Sequence, residues 1–242
     1  MTWRLRTCFR MLAVVLCAMN CIQAQVSLSG TVSLTDSHAF QRKPDYSNVA
    51  IWLDPVNRSW IPPSTDRHAV MLQKDKRFTP HLLIVEAGTR IDFPNQDPIF
   101  HNAFSNFDGQ IFDIGLYPPG KSRTVKFDRP GIVRVFCNIH STMSAIIVVV
   151  DTEYFATTLE NGSFAIHNVA PGEYVVHFFD ERALPETLER LKCHLSVAAD
   201  PINLGRVLIS EAGYLPSTHK NKYGLDYPAA PNTSSPYPSG GR

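Results

Sequence analysis

Short apolar runs, broken at close intervals by glycine and proline, constrain the fold of this chain more than any other feature. From Val26 onward the runs are Val26–Leu34, Asn48–Leu53, His81–Val85, Thr89–Phe93, Thr124–Phe127, Ile132–Phe136, Ala145–Val150, Ser163–Ile166 and Tyr174–Phe179. Turn signals separate them: Ala87-Gly88, Asn95-Gln96-Asp97, Pro118-Pro119-Gly120, Pro130-Gly131, Asn161-Gly162 and Pro171-Gly172. Runs this short close few helical turns, whereas strands of this length bounded by such residues pair and stack. The spacing predicts an all-β chain organised as sandwiches. Residues 55–68, with three prolines, read as a connecting segment, and 183–192 as one or two helical turns.

The first 24 residues stand apart. Arg4, Arg6 and Arg10 precede the uncharged run Met11–Met19, with small residues at Ala18 and Ala24. A basic start, a short apolar middle and a small-residue exit make a secretory signal peptide, which places the mature chain in the periplasm. Cys21 leaves a lipid anchor as the alternative. The apolar run is too short to cross a bilayer, which takes roughly 20 residues, and no later stretch is longer, so no transmembrane segment is expected. Removing residues 1–24 takes away three arginines and no acid, which turns the formal charge of +1 into −2. That balance offers no basic face, and nucleic acid is not an expected partner.

Of five cysteines, Cys8, Cys17 and Cys21 fall in the leader, and Cys137 and Cys193 remain. In an oxidising compartment the simplest fate of two cysteines is one disulfide. The surroundings of Cys137 argue otherwise. Phe136-Cys137-Asn138-Ile139-His140-Ser141-Thr142-Met143 lies between the strand ending at Phe136 and the apolar strand starting at Ala145. Cys, His and Met three residues apart on one loop can turn toward a single point, and His101 precedes Cys137 by 36 positions. With 9 His and 5 Met in 242 residues, the pattern arises by chance at two cysteines with a probability of roughly 0.002. Two imidazoles, a thiolate and a thioether do not suit structural zinc, which favours Cys and His alone. Iron–sulfur clusters need more cysteines. Copper accepts all four donors, and a His–His–Cys plane with a weak axial Met is the blue-copper arrangement.

Residues 69–151 resemble cupredoxins of the plastocyanin and amicyanin kind. The resemblance rests on Phe78-Thr79-Pro80, Val85-Glu86-Ala87-Gly88, Phe93-Pro94-Asn95-Gln96-Asp97, His101-Asn102, Pro130-Gly131 and the Cys-x-x-His-x-x-Met loop, whose short spacing is similar to amicyanin's. The whole chain looks like bacterial exported proteins labelled methylamine-utilisation or plastocyanin-like. The resemblance implies a Greek-key sandwich holding one type 1 copper ion, with His101, Cys137 and His140 equatorial and Met143 axial. It implies that Asn102 ties the two ligand loops together and that His140 lies nearest the surface. Ile99, Phe100 and Ile139 would rim the face where a redox partner docks, or else be ordinary core. The chain departs from the family at Val133 and Val135, where aromatics are usual, and at Ala145, where glycine is common.

A second resemblance concerns the remainder. Thr157–Phe164 and Val169–Tyr174 resemble the second half of carboxypeptidase regulatory-like domains, and Gly30-Thr31-Val32 with Asn48–Leu53 resembles the first half. Residues 25–54 plus 152–210 are therefore expected to form one small split β-sandwich with the copper domain inserted between its halves. Two sequential domains are the alternative topology. Residues 211–242, rich in Pro, Ser, Tyr and Gly, read as a disordered or extended tail. The other histidines, His194 beside Cys193 included, are expected to be surface or packing residues, and Cys193 a lone thiol able to link two chains.

Three functions fit these residues. A one-electron carrier, not an enzyme, fits a metal with four protein donors and no open position. A copper carrier or store that never cycles its charge is the second. A structural β-sandwich scaffold with an empty site is the third.

Overall fold

The computed structural model describes residues 26–36, 45–57, 66–106, 109–215 and 219–227. The signal peptide expected at 1–24 and the last part of the expected tail, 228–242, lie outside them. The strands in chain order are β1 (Val26–Thr35), β2 (Ala50–Pro55), β3 (His68–Val70), β4 (Leu72–Lys74), β5 (Arg77–Thr79) and β6 (Leu82–Glu86). They continue as β7 (Thr89–Pro94), β8 (Phe104–Ser105), β9 (Phe112–Asp113), β10 (Ser122–Phe127), β11 (Gly131–Phe136) and β12 (Ser144–Val150). The last are β13 (Phe155–Thr157), β14 (Ser163–Val169), β15 (Gly172–Phe179), β16 (Cys193–Val197) and β17 (Ile202–Ser210). The helix α1 (Pro185–Leu191) carries Pro185 in its first turn, where the missing N–H costs nothing. The fold class is all-β.

Strands from both ends of the chain share one sandwich. Its outer sheet runs β14-β1-β17 and its inner sheet β13-β2-β15-β16. Val26, Leu28 and Val32 of β1 meet Ile51 and Leu53 of β2 and Tyr174, Val176 and Phe178 of β15 in one core. The Asn161-Gly162 turn closes against β1: the Val32 amide donates to the Gly162 carbonyl at 2.8 Å. Gly162 has φ +80°, and a Cβ there would lie 2.1 Å from the Val32 carbonyl oxygen, so no other residue fits.

The strands between β2 and β13 build the second sandwich, from sheets β10-β7-β3 and β6-β12-β11-β8-β9 with the ribbon β4-β5 beside them. The two sandwiches touch through β12. Its residues Ala145, Ile147 and Val149 face the core of the second sandwich. Ile146, Val148 and Val150 face the other way, against Ala50, Leu82, Ile84 and Phe179. A strand buried on both faces reads as a continuous apolar run, which is why 145–150 shows no alternation. The valine, isoleucine, leucine and phenylalanine side chains among them each contribute about 1.5–3 kcal/mol by burial. The strand that docks the two sandwiches is also the one that leaves the 137–143 loop. A cleft of about 650 Å³ opens between the sandwiches beside Trp52, Arg134, Asp151 and His177, and none of the four candidate ligands lines it.

Candidate metal centre

Two loops at one end of the second sandwich carry the four candidates. The first leaves β7 at Pro94 and holds its shape through Asn95, which is buried. The Asn95 amide group donates to the Ile99 carbonyl at 2.8 Å, and its Oδ1 accepts from the Asp97 amide at 3.0 Å. His101 is then pinned in register with Tyr117 by a reciprocal backbone pair at 3.3 and 2.9 Å. The second loop leaves β11 at Phe136. It is closed by the Cys137 amide donating to the Met143 carbonyl and the Met143 amide donating to the His140 carbonyl, both at 3.1 Å. Asn102 joins the loops, since its Oδ1 accepts from the Asn138 amide at 2.6 Å.

His101, Cys137 and His140 come together, with one donor atom of each within 4.8 Å of the others. The Cys137 Sγ lies 3.7 Å from His101 Nδ1 and 3.5 Å from His140 Nδ1. An ion bound by thiolate at about 2.3 Å and imidazole at about 2.0 Å, with trigonal or tetrahedral angles, needs these atoms roughly 3.5–3.8 Å apart. The residues fit such an ion. Met143 is fully buried in the same cluster as Cys137, below the loop whose ends it ties. His101 and Cys137 are also fully buried, while His140 is partly exposed, although its Nε2 is covered and without a partner.

The electrostatics favour two neutral imidazoles. Burial pulls His140 down to about 4, and the neighbouring His101 adds to the effect. Burial also lowers His101, against the opposing carboxylate of Asp97. Without a cation, burial pushes the Cys137 thiol up, so it is a positively charged ion in the site that would make it a thiolate. Cys137 and Cys193 are both free, the first buried and the second exposed.

Several contributors are not apparent from the sequence. Asp97 accepts from His101 Nε2 at 2.7 Å and fixes the ring so that Nδ1 faces Cys137. Burial alone would raise the Asp97 carboxyl, but the amides of Lys76 and Asp75 and the His101 ring hold it below its ordinary value. Its only sequence signal is its place in the turn four residues before a ligand. Gln73, fully buried, donates to the Asn102 carbonyl at 3.4 Å. Of the expected rim, Phe100 is 44% exposed, Ile99 is buried, and Ile139 is partly buried against the core that holds Cys137 and Met143.

Within the tail expected from 211 to be disordered or extended, residues 219–227 are placed against the site. That segment packs on the ligand loop, with the Tyr227 hydroxyl donating to the Cys137 carbonyl at 2.6 Å. The Pro/Ser/Tyr-rich composition masks a compact turn built on Asn221.

No family model and no curated protein sequence matches this chain. Among solved structures, the purple cupredoxin from Nitrosopumilus maritimus is 19% identical over 35% of this chain and all of its own, with a TM-score of 0.32. A reduced mutant of amicyanin is 17% identical over 36% of this chain and 85% of its own, with a TM-score of 0.33. The copper-containing nitrite reductase from Thermus scotoductus is 23% identical over 40% of this chain, with a TM-score of 0.33. This chain spans a quarter of that reductase's length. Likenesses this low over this share of the chain carry no argument, and the functional case rests on the site.

Proposed function

We propose that this chain is an exported, periplasmic one-electron carrier that holds one type 1 copper ion through His101, Cys137, His140 and Met143. The observation that carries the reading is the buried triangle of Cys137 Sγ with the two Nδ1 atoms, at separations of 3.7 and 3.5 Å. When bound, copper would supply a site that exchanges one electron between Cu(II) and Cu(I). The chain's own part is to hold the donors in one arrangement for both states. The paired backbone bonds of the 137–143 loop, the Asn102 bridge and the Asp97 carboxylate on His101 do this. Rigid ligands of this kind keep reorganisation small. With Met143 as fourth donor no position stays open for a substrate, so the reading is electron carriage and not catalysis. The likeness of the split sandwich to carboxypeptidase regulatory-like domains belongs to the same proposal, as a support that anchors β12.

A redox protein is the partner this reading calls for, meeting the exposed ring of Phe100 in a small and weak contact. The test is reconstitution of the exported chain with Cu(II), followed by its visible spectrum and voltammetry. An intense blue band and a reversible one-electron wave are expected. Copper held only as colourless Cu(I) in air would replace electron carriage by copper transport. Failure to take up copper at all would leave a scaffold.

A further inference from the structure

We infer that residues 219–227 are a wall of the metal centre, in which Tyr227 positions the ligand loop and His219 shields its root. The segment is tied to itself before it is tied to anything else. Asn221 Oδ1 accepts from the amides of Tyr223 and Leu225 at 2.9 and 3.0 Å. The Asn221 amide donates to the Leu225 carbonyl and the Gly224 amide to the Asn221 carbonyl, both at 2.9 Å. Gly224 takes φ +77°, as a turn of this kind requires. Its ends meet where the Tyr227 hydroxyl lies 3.2 Å from His219 Nδ1. A preformed loop loses less freedom on docking than a loose tail does.

This loop sits on the stretch that presents the thiol. The Tyr227 hydroxyl donates to the Cys137 carbonyl at 2.6 Å, so the peptide following the ligand has its acceptor filled by protein and not by water. One residue on, Asn138 Oδ1 accepts from the Lys222 amide at 2.9 Å, while the Asn138 amide donates to Asn102. The segment is thus connected through Asn138 to the residue beside His101. The His219 ring stacks on Phe136 at 4.2 Å and 23°. Lys222 Nζ reaches Asp113 Oδ2 at 2.7 Å, a surface pair that adds little by itself. Apart from that pair to β9, these contacts fall on 136, 137 and 138 in succession, at the root of the ligand loop.

The role assigned to Tyr227 rests on the copper reading above; the packing does not, and two arms of one experiment separate them. In the first, metal-free full chain is treated with N-ethylmaleimide and the rate is read at each cysteine by peptide mass. The His219→Ala/Tyr227→Ala double variant should be alkylated at Cys137 at least tenfold faster than the parent. Cys193, exposed on the far sandwich, should react at an unchanged rate and is the internal reference, while the circular dichroism spectrum reports whether the variant remains folded. Equal rates at Cys137 overturn the wall. A change at both cysteines, or a lost dichroism spectrum, moves the decision to Tyr227→Phe, which removes only the hydroxyl. That variant should alkylate Cys137 several-fold faster, and a rate equal to the parent's overturns the wall. In the second arm, copper-loaded Tyr227→Phe should shift the visible band and release copper to a Cu(I) chelator several-fold faster. Tyr223→Phe, with its ring 71% exposed, should do neither. An unchanged band and release rate remove Tyr227 as a positioning residue. A parent chain that takes no copper counts against the proposed function, while the alkylation arm still decides the wall.

Discussion

The two sandwiches bury equal apolar clusters, sixteen residues each, yet differ in what they bury beside them. The sandwich of β1, β2 and β13–β17 buries Thr152 and Thr158 and, at its seam, the carboxylates of Asp180 and Glu211, which meet the Arg182 amide and guanidinium. The sandwich of β3–β12 buries Gln73, Asn95, Asp97, His101 and Asn102 at one end, around the two ligand loops. Size and hydrophobicity therefore do not separate them. Burying polar groups costs free energy unless each is paired, so a domain gathers them only where something other than stability is served. Under the proposed function, the cluster of five around the ligand loops fits the second sandwich as the working one and the first as its support.

The largest test of that contrast pairs one substitution from each core. Cys137→Ala removes the thiolate and should abolish any intense copper band while leaving the fold intact, since the change vacates little volume. Ile51→Ala, at a fully buried site of the other sandwich, should cost about 2–5 kcal/mol by loss of burial and a residual cavity. It should leave the band where it was. Spectra and denaturant midpoints of the two variants should thus separate cleanly. A shifted band in Ile51→Ala would show that the first sandwich tunes the site after all.

A subtler test stays within the second sandwich. Met143→Leu keeps the volume and removes the thioether sulfur. Copper should be retained and its reduction potential raised, because an axial sulfur stabilises Cu(II). Voltammetry of the loaded variant checks this, and an unchanged potential would take Met143 off the ligand set.

How much of this was legible in the sequence depended on whether a signal is local. The loop from Cys137 to Met143 carries its spacing in seven consecutive residues, and the strands around it are long enough for their apolar pattern to show. The triplets β3, β4 and β5 are too short for any period, and they mix Lys, Arg and His with the apolar residues. In β17 the pattern is broken by Gly205 at φ +69°, where the register against β1 slips, and only Ile209 is buried. Asp97 stands in the sequence as a turn residue, and its hydrogen bond to His101 exists only once the loop has folded. Tyr227 lies 90 positions from Cys137, a separation no pattern encodes.

The smallest expected effect concerns the seam between the two regions. His81, just before β6, meets Glu181, just after β15, at 2.9 Å, with Arg134, Arg182, Asp180 and Glu211 nearby. The hydrogen bond to Glu181 raises His81 above its ordinary 6.5, outweighing burial. Burial alone would raise Glu181, but the His81 bond holds it below its ordinary 4.5. A raised histidine stabilises the fold fully below its unfolded value and loses that contribution as pH climbs through the folded one. A lowered carboxyl stabilises above its unfolded value and loses it as pH falls through the folded one. The pair is therefore strongest between about 4.5 and 6.5, the two ordinary values. Both side chains are about a third exposed, so solvent screening keeps the contribution below about 1 kcal/mol. In urea titrations the advantage of the parent over His81→Gln should be greatest near pH 5.5. It should shrink as pH climbs above 6.5 and the imidazole loses its proton. A difference that stays constant across that range would remove the charge on the His81–Glu181 pair from the forces that hold the sandwiches together.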